Sequence, residues 1–300
     1  MAEIERRRPS PPAELFKYVV SDRIDVLENA LIRFSPPLNT NDIFEVRQTF
    51  DLIMGPKMQL LFEEAAAEAD VDGGISDALR ESPLSALNVD QAKQMMSAVT
   101  GANVEHLMRR LLGDFIAQMP AQMNAPENID RLIDRVAGKQ LLLSLSEKSD
   151  SSPMWAHYAG NSSGFVIAFD TSSDFFRRGE NYELQGLHKV AYFDGRVPEI
   201  MDNPYGALIS KQADWSYERE WRLYAKVEDA SVITKVQHEQ IHLVPFPHAA
   251  VRRVILGSRA SDELKCSIKS LIERGYPGVH LTRATPDRRS ATLIELPVED

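Results

Sequence analysis

The sequence predicts an α+β protein: a mixed, mostly antiparallel sheet with flanking helices and an α-helical insert. Three observations lead there. Short runs rich in β-branched and aromatic residues occur near the start of the chain and again from Leu141 onward. Between them, over roughly residues 56–140, apolar residues recur with helical spacing. The C-terminal part reads as strand, helix, strand, at 251–256, 261–274 and 278–282. The expected organisation is a short, disordered, proline-rich arm at 1–14, an α+β domain built from 15–55 and 141–300, and a helical insert at 56–140.

Taken in order, residues 15–20 (LFKYVV) read as a strand, 22–29 as a helix with Ile24, Leu27 and Ala30 along one side, and 31–34 as a second strand. Ser35-Pro36-Pro37 stops that strand, because proline has no amide proton to give a ladder. NTNDIFE at 39–45 is a polar loop running into helix. In the insert, Val104, Leu107, Met108, Leu111, Leu112, Phe115 and Met119 form a stripe expected to be core, with Asn103 as its cap. Asp72-Gly73-Gly74 and 119–126 read as breaks between helices. Further strands are expected at 165–169, 189–193, 221–227 and 241–245, and a last one at 292–296.

Composition narrows the function classes. Hydrophobic residues make up 43% and charged residues 26%, an ordinary balance for a globular protein. The net charge of −10 gives no global pull on nucleic acid, which leaves only a local basic cleft for such a role. The one cysteine, Cys266, excludes an internal disulfide and a multi-cysteine metal site. Its place in SDELKCSIKSLIERG predicts a buried structural thiol. No apolar run reaches membrane-spanning length, and the arginines of MAEIERRRPSPPAEL are not followed by an apolar stretch. The expectation is a cytoplasmic protein with no membrane partner.

Two blocks carry the candidate chemistry. Trp155-Ala156-His157-Tyr158 follows Pro153 and reads as one helical turn. There His157 is either a donor or base, or a satisfied core histidine. Tyr158 either stacks on a planar ligand or packs the helix on the sheet. The two point about a quarter-turn apart, so one cavity needs only one of them. Downstream, Glu218 and Glu220 lie two apart at the mouth of an expected strand, where i and i+2 share a face. Two carboxylates on one face raise each other's pKa unless a cation intervenes, and Arg222 continues that face. A solvated ion-pair ladder is the alternative, and Trp215, Tyr217 and Trp221 argue against full solvation. Lys211 is a candidate for an anionic ligand.

Weaker signals lie elsewhere. Asn41 and Asp42, with Glu45, are ligand candidates or a helix capping box. Gly257-Ser258-Arg259 is a strand–Gly–helix turn of the kind that can hold a phosphate on free amides. His238, His242 and His248 lack a useful ligand spacing, so no zinc and no other metal site is expected.

The blocks resemble a bacterial domain-of-unknown-function family, number 2971, some of whose members carry labels of abortive phage resistance. The residues that carry the resemblance are Phe16-Lys17-Tyr18, Phe34-Ser35-Pro36, Asn41-Asp42, Phe44-Glu45, Ser144-Leu145-Ser146 and Met154 to Ala159. Gly164-Phe165, Lys211, Trp215, Tyr217-Glu218 and Glu220-Trp221-Arg222 complete the set. The sequence departs from the family's usual pattern at Thr40 and Ile43, and at Ser162, where a histidine is common. More distantly, the layout is similar to that of ADP-ribosyltransferases. That similarity implies NAD as substrate, with Lys17 or Tyr18 on the nicotinamide-side ribose and Tyr158 stacked on nicotinamide. Glu218 or Glu220 would bind the ribose hydroxyl and favour the oxocarbenium-like state.

The leading expectation is therefore an NAD-consuming, ADP-ribosyltransferase-like enzyme in phage defence, with Glu218, Glu220 and His157 as catalytic candidates. Lys17, Tyr18, Asn41, Asp42, Tyr158, Lys211 and Arg222 are the ligand-binding candidates. One alternative is a metal-dependent hydrolase or nuclease using His157 and the carboxylates. Another is a non-catalytic module that binds a nucleotide or a partner. The expected partners are a small-molecule nucleotide, an unidentified macromolecular acceptor, and a second copy of the chain through the helical insert.

Overall fold

The computed structural model describes residues 9–39, 55–177, 184, 186–195, 206–236, 239–287 and 289–298. The described chain divides into two compact units, one drawn from residues 1–49, 133–198 and 205–300, the other from 50–132. The α+β class holds.

The first unit carries the strands β1 (Glu14–Val19), β2 (Leu31–Phe34), β3 (Gln140–Ser146), β4 (Phe165–Asp170), β5 (Leu187–Lys189), β6 (Ala191–Phe193) and β7 (Ser210–Gln212). It continues with β8 (Glu220–Lys226), β9 (Val232–Val236), β10 (Glu239–Pro245), β11 (Val251–Leu256), β12 (His280–Asp287) and β13 (Thr292–Pro297). Among the described residues, eight of these form one sheet in the order β13-β12-β11-β4-β1-β3-β8-β5. Its pairings are antiparallel except β11 with β12, which are parallel. The expected 189–193 strand is two short ones: β5 pairs with β8, the contact ending where Val190 N donates to the Glu220 carbonyl, and β6 pairs with β7.

β4 shows why this sheet forms. Phe165, Val166, Ile167, Ala168 and Phe169 are all fully buried. A strand apolar on both faces must be covered on both faces. Leu15, Phe165, Ile167 and Phe169 face the main core, while Phe16, Tyr18, Val166 and Ala168 face a second cluster under Trp155. β3, with its LLLSLS run, is buried along almost its whole length for the same reason.

The sheet does not close evenly. β1 pairs with β4 at six positions but with β3 only at Phe16 and Ser146. Beyond that pair the two strands part. Ser35, just after β2, bridges instead to Leu142 of β3. This split positions the site described below.

The helices of this unit are α1 (Asp25–Asn29) and, later in the chain, Ser152–Tyr158 and Asp262–Gly275. The expected 22–29 helix is shorter than read, since a 3-10 turn occupies Ser21–Arg23. Ser261 caps the Asp262–Gly275 helix through Leu264 N at 3.2 Å. Cys266 on that helix is exposed, which corrects the expected buried thiol. The helix buries Leu264 and Ile268, and Cys266 falls on its other side.

The second unit is built from α2 (Pro56–Ala67), α3 (Val71–Arg80), α4 (Val89–Thr100), α5 (Val104–Met123) and the start of α6 (Pro126–Ala137). The remaining helices follow as α7 (Ser152–Tyr158) and α8 (Asp262–Gly275). Asn103 caps α5 by accepting from His106 N at 3.1 Å. Of the two expected breaks, the one at Asp72-Gly73-Gly74 is absent, and the one at 119–126 narrows to residues 124 and 125, between α5 and α6. Asp70 accepts from Gly73 N at 2.9 Å, so Asp72-Gly73-Gly74 is the first turn of α3. α5 runs through Pro120 to Met123 before it stops. The expected core stripe is also only partly core: Val104 is buried, whereas Met108, Leu111 and Phe115 are exposed.

Candidate functional site

Where β1 and β3 part, a cleft of about 170 Å³ opens. β1 contributes Phe16, Lys17 and Tyr18, β2 contributes Arg33, and β3 contributes Leu142, Ser144, Leu145 and Ser146. α7 adds Met154 and Tyr158, and the chain from β7 into β8 adds Lys211, Glu218, Glu220 and Arg222.

The two carboxylates reach the cleft by a turn rather than along a strand. Glu218 ends a 3-10 segment, Ala213–Glu218, and β8 starts at Glu220. Arg219 between them is left-handed, with φ 45°, a conformation that costs a side-chain-bearing residue about 1–2 kcal/mol. The expected shared strand face is thus replaced by a reversal that aims both carboxylates inward. Both are buried, at 4% and 3% exposure. The Ser146 hydroxyl holds the turn by donating to the Glu218 carbonyl at 2.6 Å, and Glu220 N donates to the Tyr192 hydroxyl at 2.8 Å.

Each carboxylate has its own cation. Arg222, completely buried, makes a two-pronged contact with Glu220: Nε to Oε1 and Nη2 to Oε2, both 2.9 Å. Its Nη1 donates to the Leu208 carbonyl at 2.5 Å. Lys211 donates to Glu218 Oε2 at 2.6 Å and lies 3.6 Å from Glu220 Oε2. Its ammonium sits 4.6 Å from the centre of the Trp215 ring. Burial pushes the Glu220 carboxyl up, but Arg222, Lys211 and the Ser144 hydroxyl outweigh it and hold the pKa at about 2. Glu220 is therefore ionised throughout the physiological range.

Tyr158 joins this group from α7. Pro153 starts that helix, Met154 and Trp155 are buried beneath it, and the Trp155 indole donates to the Ser149 carbonyl at 2.7 Å. The Tyr158 hydroxyl then donates to Glu218 Oε1 at 2.5 Å. Lys17 enters from β1, where its ammonium donates to the Ser144 carbonyl across the split at 3.0 Å. Burial lowers its pKa to about 8; Glu220 and Glu218 oppose that shift and Arg33 adds to it.

The structure thus gathers Lys17, Tyr18, Tyr158, Lys211, Glu218, Glu220 and Arg222 around one cleft. His157 is not among them. It is exposed on the outer side of α7, with its ring 6.3 Å from that of Tyr217. The quarter-turn between neighbours on a helix puts Tyr158 in and His157 out. Tyr18 is part of the wall: its ring packs edge-on against Trp155 at 5.3 Å and its hydroxyl donates to the Lys148 carbonyl at 2.8 Å. Asn41 and Asp42 lie outside the described residues, as does His238.

Two of the three amides of the Gly257-Ser258-Arg259 turn are used within the fold. Gly257 N donates to the Gly164 carbonyl and Arg259 N to the Ser162 carbonyl, both at 2.9 Å. A Cβ at Gly257 would lie 2.1 Å from that Ser162 oxygen, so the glycine serves close backbone packing. Ser162 is accordingly a tight-turn residue with φ 67°. Among the described residues, no group of three or more His, Cys, Asp or Glu side chains is placed to hold a metal ion. No helix among them is long and apolar enough to cross a membrane.

Arg33 lines the cleft without having been singled out in the sequence, and Ser144 stood out only through the family resemblance. An arginine alternating with Ile32 and Phe34 in a short strand is an ordinary outward-facing residue by pattern. Only the Ser35–Leu142 bridge, remote in sequence, brings it here.

No curated protein and no solved structure matches the chain. A family model described as "Protein of unknown function (DUF2971)" matches residues 154–223, a narrower span than the one suggested by the residues from Phe16 onward. The matched stretch runs from α7 to β8, so the part of the chain that is similar to this family is the part that brings Tyr158, Lys211, Glu218, Glu220 and Arg222 to the cleft.

Proposed function

We propose that the cleft binds the nicotinamide–ribose end of NAD and breaks the bond between them, as in an ADP-ribosyltransferase or NAD glycohydrolase. The observation that carries this is Glu218: a buried carboxylate held from one side by Lys211 and from the other by the hydroxyl of an aromatic ring in the cleft wall. Tyr158 offers a face for nicotinamide, and Glu218 offers charge to the ribose beside it. As the C1′–N bond breaks, its electron pair leaves with nicotinamide and positive charge grows on the ribose. A fixed carboxylate in a water-poor site stabilises that charge without reorganising. Water or an acceptor nucleophile then bonds to C1′ and releases its proton to solvent. Lys211 and Arg222 orient the carboxylate pair, so they and Glu220 are positioning residues.

The size of the cleft supports admitting only one end of the dinucleotide. At about 170 Å³ it is smaller than the roughly 300–1,000 Å³ of sites that enclose drug-sized ligands. The resemblance to a family with phage-resistance labels fits a cytoplasmic effector that depletes NAD. The same proposal assigns self-association to the helical unit, where Leu61, Leu111 and Phe115 are at least half exposed.

The test is to incubate purified protein with NAD and quantify free nicotinamide. Wild type releases it, and Glu218→Gln slows release by about 10²–10³-fold. Equal release by Glu218→Gln and wild type, or no release together with no thermal stabilisation by NAD, would overturn the proposal.

A further inference from the structure

The charges around the cleft do not balance. Lys17, Arg33, Lys211 and Arg222 line it, against Glu218 and Glu220. Lys211 and Arg222 are matched by those two carboxylates. Arg33 shares Glu239, through Nη2, with Asn39. Its Nε is buried and makes no hydrogen bond. The Lys17 ammonium carries three protons and gives one to the Ser144 carbonyl. Counting Glu239, one positive charge remains over, in a chain whose net charge is −10.

Lys17 and Arg33 also repel one another, since Arg33 disfavours the charged form of Lys17. The repulsion between the two cations and the two Lys17 ammonium protons left without an acceptor are both costs, although Arg33 itself is about a third exposed and paired with Glu239. An anion between them removes both costs. Phosphate oxygens suit the pair: a guanidinium offers directional N–H groups and an ammonium offers a compact charge.

We propose that Lys17 and Arg33 form a subsite for a phosphate-class anion, within the cleft that holds Glu218 and Glu220. The choice of a diphosphate as its natural occupant rests on the NAD reading above; the demand for an anion does not. In that arrangement the β1–β2 side holds the ligand by its phosphates, and the β8 side presents the carboxylates to its ribose.

The experiment is titration with inorganic pyrophosphate and, separately, inorganic phosphate, followed by calorimetry and thermal shift. Pyrophosphate is expected to bind and to raise the melting temperature. Lys17→Met and Arg33→Met should each weaken binding at least about thirtyfold. Arg33→Lys, which keeps the charge and loses the fork, should fall between. Arg252→Gln, an exposed cation paired with Asp170 outside the cleft, should bind like wild type. If Lys17→Met fails to fold, Arg33→Lys and Arg33→Met still decide the matter. Absence of pyrophosphate binding by wild type, or equal binding by the Arg33 variants, overturns the subsite. Nicotinamide release from NAD without pyrophosphate binding would sink the subsite and leave the NAD reading. Pyrophosphate binding lost in the Arg33 variants, without nicotinamide release, would support the subsite and count against that reading.

Discussion

The β8 side of the cleft and its β1–β2 side are built from the same residue types and solve opposite problems. On the β8 side, Glu218, Glu220, Lys211 and Arg222 are all at most 5% exposed, and each faces an opposite charge within 2.9 Å. On the β1–β2 side, Lys17 has one acceptor and Arg33 keeps an unpartnered Nε. The first set is complete without a ligand and fixes geometry. The second is incomplete and costs stability until something anionic arrives. Proteins place unsatisfied groups where function requires them and compensate elsewhere, which marks the β1–β2 side as the part that waits for a ligand.

The largest expected effect breaks the complete side. Arg222→Met leaves Glu220 buried without its main cation, which should cost about 3–5 kcal/mol in urea unfolding. Adding Glu220→Met should recover most of that loss, because a buried pair is worth little against apolar residues of similar size. A loss below about 1 kcal/mol for Arg222→Met would mean that the pair is not coupled as described.

Acid sharpens the same contrast. The folded pKa of Glu220, about 2, lies below its ordinary value of 4.5. Its contribution to stability is therefore fully present above about 4.5 and lost as pH falls towards 2, because the unfolded state binds the proton first. Glu220→Gln should flatten that part of the stability–pH curve. Lys17 gives the opposite limb. Its pKa is lowered from 10.5 to about 8, so stability should rise with pH between those values. Lys17→Met should abolish the rise and raise the melting temperature at neutral pH, while weakening anion binding. A Lys17→Met protein that melts earlier than wild type would contradict the view that this cation is held at a cost.

Tyr158→Phe should have the smallest effect on stability. It removes one hydrogen bond to a charged group from a half-buried ring, worth about 1.5 kcal/mol in urea unfolding. Its effect on nicotinamide release should be clearly weaker than that of Glu218→Gln.

The β8 side was the more legible part in sequence. Glu218, Glu220 and Arg222 stand within five residues of one another, beside aromatics that exclude water, and their local spacing survives in the fold. Even there the mechanism differed, because the left-handed turn at Arg219 does what strand alternation was expected to do. The β1–β2 side was mostly illegible. Lys17 stood out only through its block, and Arg33 did not stand out at all, since its position depends on the Ser35–Leu142 bridge. β3 was not read as a strand because its LLLSLS run lacks the β-branched and aromatic residues that marked β4, a run equally buried on both faces. Helical spacing located the helices of the second unit but misjudged their burial, leaving Met108, Leu111 and Phe115 exposed.

The most direct test of the central claim is a crystal structure with a non-cleavable NAD analogue. The expected complex has nicotinamide against Tyr158, its ribose hydroxyls on Glu218, and the diphosphate between Lys17 and Arg33. An analogue bound away from this cleft, or with its diphosphate on the β8 side, would contradict the division of labour between the two sides.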